Sequence, residues 1–157
     1  MKITLLAIGT KMPAWVTQAY EEYASRLTGS VVLELKAIAA EKRGRKAPID
    51  KLCQLESDKL LQAIPKGDYV IALDVFGKQW STEQLAKQME GWMMSCRNVT
   101  LLVGGPEGMT ANCLQRADQT WSLSPLTFPH PLVRVLLSEQ LYRAWSITQN
   151  HPYHRAG

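Results

Sequence analysis

Three stretches of this chain carry residue types that could bind a small molecule and act on it. The first is Leu101-Leu-Val-Gly-Gly-Pro-Glu-Gly108, an apolar run that stops at a glycine-rich bend. Gly104 and Gly105 have no Cβ, so the main chain there is free to take positive φ and to let a ligand approach closely. A tight turn that binds nothing fits the same residues. The second stretch is Leu123-Ser-Pro-Leu-Thr-Phe-Pro-His-Pro131. Its three prolines fix φ and remove amide donors, which makes a stiff loop around His130. An imidazole titrates near neutral pH and is a common proton acceptor, although a loop histidine bonded only to nearby backbone is equally compatible. Arg134 follows one turn later, as a site group or as half of an internal ion pair with Glu139. The third is the tail His151-Pro-Tyr-His-Arg155, where Tyr153 offers a ring for base stacking and Arg155 a cation for phosphate.

The chemistry these residues would perform is narrowed by what is missing. No G-x-G-x-x-G follows the first apolar run, and no G-x-x-x-x-G-K-[ST] or G-x-S-x-G occurs, so signatures for dinucleotides, phosphate chains and a nucleophilic serine are lacking. A cofactor without a chain of phosphates fits better. Cys53, Cys96 and Cys113 stand far apart without metal-ligand spacing; buried thiols and no metal are expected. Lys42-Arg43-Gly44-Arg45-Lys46 puts four cations in five residues, either a segment that tracks phosphates or a solvated loop.

The elements that must position these residues follow from periodicity. Lys2–Ile8, Tyr69–Leu73 and Val99–Val103 are continuously apolar, as strands buried on both faces are. Val31–Ile38 alternates, as a sheet edge does, and 121–123 makes a last short strand. Helical spacing runs from Pro13 to about Gly29, from Pro48 to Pro65, from Ser81 to about Cys96, briefly from Thr110, and from Leu132 to about Thr148. Ser81 with Gln84 forms a capping-box pattern, and Gly77 and Trp80 fall in the preceding turn. Strand and helix alternate throughout, which predicts an α/β domain over 1–157 with a mostly parallel sheet and helices on both faces. Leu73, Gly104 and Leu123 then end three strands at one sheet edge, where ligands bind in such folds. On the last helix Leu132, Tyr142 and Trp145 add apolar surface beyond the main face, the mark of a partner surface.

Composition sets the outer bounds. The 157 residues are 46% hydrophobic and 20% charged, enough for one real core. A net charge of +4 permits a polyanionic partner without demanding one. No apolar run is as long as a membrane span, and Ile3–Ile8 meets Gly9-Thr10-Lys11 at once, unlike a secretory leader; a cytoplasmic location and no membrane partner are expected.

Val103-Gly-Gly-Pro-Glu-Gly108, Leu123 to Arg134, Glu139-Gln-Leu-Tyr-Arg143 and the terminal His-Pro-Tyr-His-Arg, in this order and spacing, resemble the small SPOUT-class methyltransferases. Within that class the likeness is to the ribosomal RNA large subunit methyltransferase H family, and it runs nearly end to end. The resemblance implies methylation of N3 of a pseudouridine in 23S ribosomal RNA, free or in the ribosome, with S-adenosylmethionine as donor. It further implies that Leu73, Gly104, Gly105 and the run Leu123, Ser124, Pro125, Leu126, Thr127 and Phe128 hold the cofactor. A C-terminal deep trefoil knot, a homodimer, and a tail that completes the neighbouring subunit's site also follow from it. His130, Arg134, Tyr153 and Arg155 are the expected catalytic and substrate-placing groups. A non-catalytic RNA-binding or ribosome-associated module on the same fold is the alternative, and saturable S-adenosylmethionine binding would separate the two.

Overall fold

Side-chain alternation in the first strand decides what each face of the sheet must carry. β1 (Lys2–Ile8) sends Ile3, Leu5 and Ala7 into one core and Leu6 and Ile8 into another, the two-residue period of a strand. All five are buried, so both faces need a cover. The computed structural model describes every residue except 45, 47, 156 and 157. The remaining elements are α1 (Ala14–Ala24), β2 (Val32–Ile38), α2 (Ile49–Ala63), β3 (Tyr69–Gln79), α3 (Thr82–Met94), β4 (Val99–Val103), α4 (Ala111–Arg116), β5 (Gln119–Ser122) and α5 (His130–Thr148).

The strands form one sheet in the order β2-β1-β4-β3-β5, and each neighbouring pair is parallel. The expected edge strand β2 is an edge, and the expected buried strand β4 lies at the centre with all five residues buried. Residues of α1, α3 and α5 join the core over one face, those of α2 and α4 the core over the other. The chain crosses the sheet in one direction through α1 and α3 and in the other through α2 and α4. A helix that changes face whenever the crossing changes direction is what crossovers of a single hand require. Ser81 caps α3 with the reciprocal bonds to Gln84 that its sequence predicts. No helix among the described residues is long and apolar enough to cross a membrane.

Several boundaries depart from expectation. α5 starts at His130 rather than Leu132, with Pro129 as its N-cap; Pro131 is accommodated because first-turn amides have no helical partner anyway. Gly77 is not in a turn. β3 continues through it to Gln79, and both Leu73 and Lys78 pair with Trp121, so residues 74–77 form a bulge between two paired segments. α1 ends at Ala24, although Leu27 beyond it remains buried. Nor are the thiols uniformly buried: Cys113 is, Cys53 is half-buried and Cys96 is exposed. On α5, Tyr142 is covered by its own chain and only 6% exposed, and Leu141 lies in the core. The supposed surplus apolar surface of this helix is therefore smaller than its sequence implies.

Two glycines should respond to alanine with opposite signs. At Gly77 a Cβ would lie 2.7 Å from the Trp121 main-chain nitrogen, whereas at Gly91, inside α3, nothing lies within 4 Å. Gly77→Ala should destabilise the protein by about 1–3 kcal/mol through forced backbone displacement, and Gly91→Ala should stabilise it by about 0.5–1 kcal/mol. Urea unfolding of both variants checks the pair.

Candidate functional site

The bulge of β3 and the carboxyl ends of β4 and β5 open into one cleft. Leu73, Asp74 and Val75 form one wall, Gly104, Gly105, Gly108 and Met109 a second, and Leu123, Ser124, Leu126, Thr127 and Phe128 a third, with His130 and Val133 of α5 closing it. Every residue expected to hold a cofactor lines this cleft except Pro125, which is exposed and turned away. The lining is mainly apolar and main-chain. Asp74 and His130 are its titratable side chains.

The glycines of the bend serve their own chain before any ligand. Neither Gly104 nor Gly105 has positive φ; in this bend that conformation belongs to Gly108 at +78°. A Cβ on Gly104 would meet the Gly108 carbonyl at 2.7 Å, and one on Gly105 would meet Glu56 Oε1 at 2.9 Å. The bend folds back on itself, with Gly108 N donating to Gly105 O, and it rests on a carboxylate. Replacing Gly104 by valine would therefore displace the bend as well as fill the cleft.

That carboxylate is the principal residue missed by reading the sequence. Glu56 stands at core-facing spacing in α2 and is 1% exposed. A buried charge needs partners, and the Arg43 guanidinium supplies them: Nη1 donates to Oε2 and Nη2 to Oε1, each at 2.9 Å. Arg43 also bonds Glu107 of the bend through Nε and Nη2. Its pKa is pushed further up by the hydrogen bonds it donates to Glu56 and Glu107, and Arg43 in turn holds the Glu107 carboxyl below its usual range. Arg43 is thus a pin under the glycine bend, which corrects its reading as a phosphate-tracking cation. Lys42 and Lys46 remain exposed, and Arg45 lies outside the described residues.

His130 sits at the start of α5 against the cleft. Burial, and then the positive charges of Arg134 and Arg43, lower its pKa, which favours the neutral imidazole. Its Nδ1 is buried without a partner. Arg134 does not line the cleft. It is 2% exposed, and Nη2 donates to the carbonyls of Ile8, at 3.1 Å, and Gly9, tying α5 to the end of β1. Arg134 thus stands behind the cleft wall, where its bonds hold the first turns of α5 against the end of β1.

Tyr153 and Arg155 are not brought to the cleft of their own chain. Tyr153 donates its hydroxyl to Glu139 at 3.1 Å and packs on Tyr142 with ring centroids 4.6 Å apart, under the guanidinium of Arg143. His154 Nε2 lies 3.0 Å from Glu83. Glu139 is nine residues after His130 in α5, about 14 Å along a helix that rises 1.5 Å per residue. Glu139 bonds Arg143 as well, so its ion-pair partner is Arg143 and not the Arg134 considered from the sequence, while Arg155 is exposed.

Comparison with known proteins adds to this geometry. A family model described as a predicted SPOUT methyltransferase matches residues 1–154. A protein of Marinomonas sp. (strain MWYL1) named ribosomal RNA large subunit methyltransferase H is 57% identical over 155 residues, covering 99% of this chain and all of that protein. Among solved structures, a probable methylase family protein from Haemophilus influenzae superposes with a TM-score of 0.57 at 10% identity, covering 99% of this chain and 70% of the other. That last likeness is one of fold.

Two outcomes test the site's construction. Arg43→Ala should cost about 3 kcal/mol, because it strands a buried carboxylate, whereas Lys42→Ala should stay within about 0.5 kcal/mol; denaturant unfolding measures both. The lowered pKa of folded His130 means that the unfolded chain, with an ordinary value near 6.5, takes up the proton first as pH falls. Stability should therefore drop from pH 7 toward pH 5, and His130→Asn should shallow that drop in thermal melts taken across the range.

Proposed function

This chain belongs to the SPOUT methyltransferase family, and we propose that it transfers a methyl group from S-adenosylmethionine to N3 of a pseudouridine in 23S ribosomal RNA. The observation that carries this reading is the cleft where the β3 bulge and the ends of β4 and β5 meet at a glycine-lined bend. Its chemistry fits the donor. An adenine and a short amino-acid chain ask for apolar walls and main-chain hydrogen bonds rather than a cage of charges, and this cleft offers that combination. Leu73, Gly104, Gly105, Leu123, Ser124, Leu126, Thr127 and Phe128 would hold it. When bound, the cofactor supplies an electrophilic methyl on a sulfonium sulfur.

The protein's own contribution is mostly placement, since holding two reactants in line removes a large entropic part of the barrier. Gly104 lets the bend fold back on Gly108 and Gly105 lets it rest on Glu56, which keeps bare main chain at the cleft wall. Phe128 and Leu123 exclude water. His130, favoured as the neutral imidazole by its surroundings, is in the state that can take the imide proton, and Arg134 holds the helix that carries it. Tyr153, in the tail after α5, is held at Glu139, about 14 Å along the helix from His130, so a role for it and for Arg155 at a substrate site calls for a second copy of the chain. This supports a homodimer with composite sites; the family likeness supports a single domain over 1–157 whose C-terminal region is knotted, and action on 23S rRNA or the ribosome in the cytoplasm.

Calorimetry should give one saturable S-adenosylmethionine site per chain. Mass mapping of 23S rRNA from cells with and without the protein should differ by a single methyl group; unchanged maps would overturn the assignment. A mixing experiment tests the composite site. Gly104→Ala removes the cleft and Arg155→Ala the tail, so each variant alone should be inactive. Mixed dimers keep one intact pairing of cleft and tail and should regain methyl transfer. Verified mixed dimers without activity would return the tail to its own subunit.

A further inference from the structure

The bulge in β3 ends in an aromatic ring that the fold does not use. Phe76 is 92% exposed, the most exposed of the large apolar residues, while Val75 before it and Leu126 of the loop after β5 are 41% and 69% exposed. Val75 and Leu126 both line the cleft, and Phe76 follows Val75 directly in the chain. Single exposed hydrophobics are ordinary, but a fully exposed ring next to the apolar wall of a binding cleft marks a contact surface.

The position is also held. Leu73 and Lys78 both pair with Trp121, on either side of the bulge, and Gly77 lies so close to the main chain of residues 120–121 that no Cβ would fit. Trp121 is buried and stacked on Trp80 with ring centroids 5.0 Å apart. The ring of Phe76 is therefore presented from an anchored base rather than from a free loop. Lys78 stands exposed two residues further on in the same strand, and the chain carries a net charge of +4, a setting that suits a polyanion.

We infer that Phe76 is a stacking platform for an unpaired base of the RNA next to the nucleotide that enters the cleft. This rests on the RNA-methyltransferase reading above and deepens it by naming a substrate-positioning residue. An aromatic face binds any base with little dependence on its identity, and loss of one such stack weakens RNA binding on the order of ten-fold. Phe76 would so hold the strand while leaving cofactor affinity untouched.

The test compares Phe76→Ala, Phe76→Leu and Phe76→Trp with the unaltered protein, measuring KM and kcat for unmethylated ribosomal substrate, Kd for S-adenosylmethionine, and sedimentation. Stacking predicts a KM raised about ten-fold in the Ala and Leu variants, recovered in the Trp variant, with kcat, cofactor Kd and oligomeric state unchanged. Leu preserves apolar bulk without a π face, so full activity of Phe76→Leu would overturn the proposal. A change in sedimentation for Phe76→Ala would also overturn it, by making the ring a contact between protein chains. If the unaltered protein binds the cofactor yet methylates no RNA, the functional reading itself falls and takes this inference with it. Normal methylation by the unaltered protein with an unmoved KM in Phe76→Ala removes the stacking role alone.

Discussion

The cleft depends on a constraint one residue wide: behind Gly105 there is a carboxylate and no room for anything else. Glu56 lies 2.9 Å from where a Cβ would stand, so the bend after β4 can approach α2 only as bare main chain. A buried carboxylate is unfavourable without compensation, and Arg43 compensates it while reaching on to Glu107 in the bend itself. One guanidinium thus joins the segment after β2, the helix α2 and the loop after β4. The planar fork of arginine suits this task, because it meets two carboxylates at once where an ammonium would offer a single point of charge.

A division of labour follows between charge and main chain. The ionised groups near the cleft are spent on structure: Arg43, Glu56 and Glu107 hold the bend, and Arg134 satisfies carbonyls at the end of β1. What faces the cleft is chiefly backbone and apolar side chain, with Asp74 and His130 as exceptions. Gly9 belongs to the same arrangement. A Cβ there would meet Met12 at 2.8 Å and crowd both Arg134 and His130 at 3.4 Å, so a third glycine is required for α5 to seat its first turn over β1.

Much of this was legible in the residue pattern, and the failures have physical causes. Period and punctuation identified the strands, the helices and the ends of β4 and β5, since buried strands and amphipathic helices must declare their inward faces. The continuation of β3 was hidden because its bulge leaves Val75 and Phe76 apolar yet exposed, which breaks the link between hydrophobicity and burial on which strand reading relies. α5 misled for the reverse reason. It is covered nearly all round, and it buries Arg134, Ser138 and Ser146 beside Leu137 and Leu141, so no single stripe marks its inner face. Arg43 looked like its cationic neighbours because only tertiary structure distinguishes a paired guanidinium from a solvated one. Glu56 was the readable exception: a carboxylate at core-facing spacing is itself a sign that a partner is waiting.

The strand order also governs how this chain must come together during synthesis. β4 occupies the slot between β1 and β3 and pairs Ile3 with Val99, so β1 emerges with one edge bare until some ninety further residues have been made. At typical translation rates that interval is roughly ten seconds. Throughout it, an apolar strand displays unpaired amides and carbonyls, the arrangement most prone to joining a strand of another molecule. Completion of the sheet is a late, long-range insertion rather than the zipping of neighbours, a topology that folds slowly. The same central strand that delivers the glycine bend to the cleft therefore makes the nascent chain a natural client for whatever shields strand edges at the ribosome.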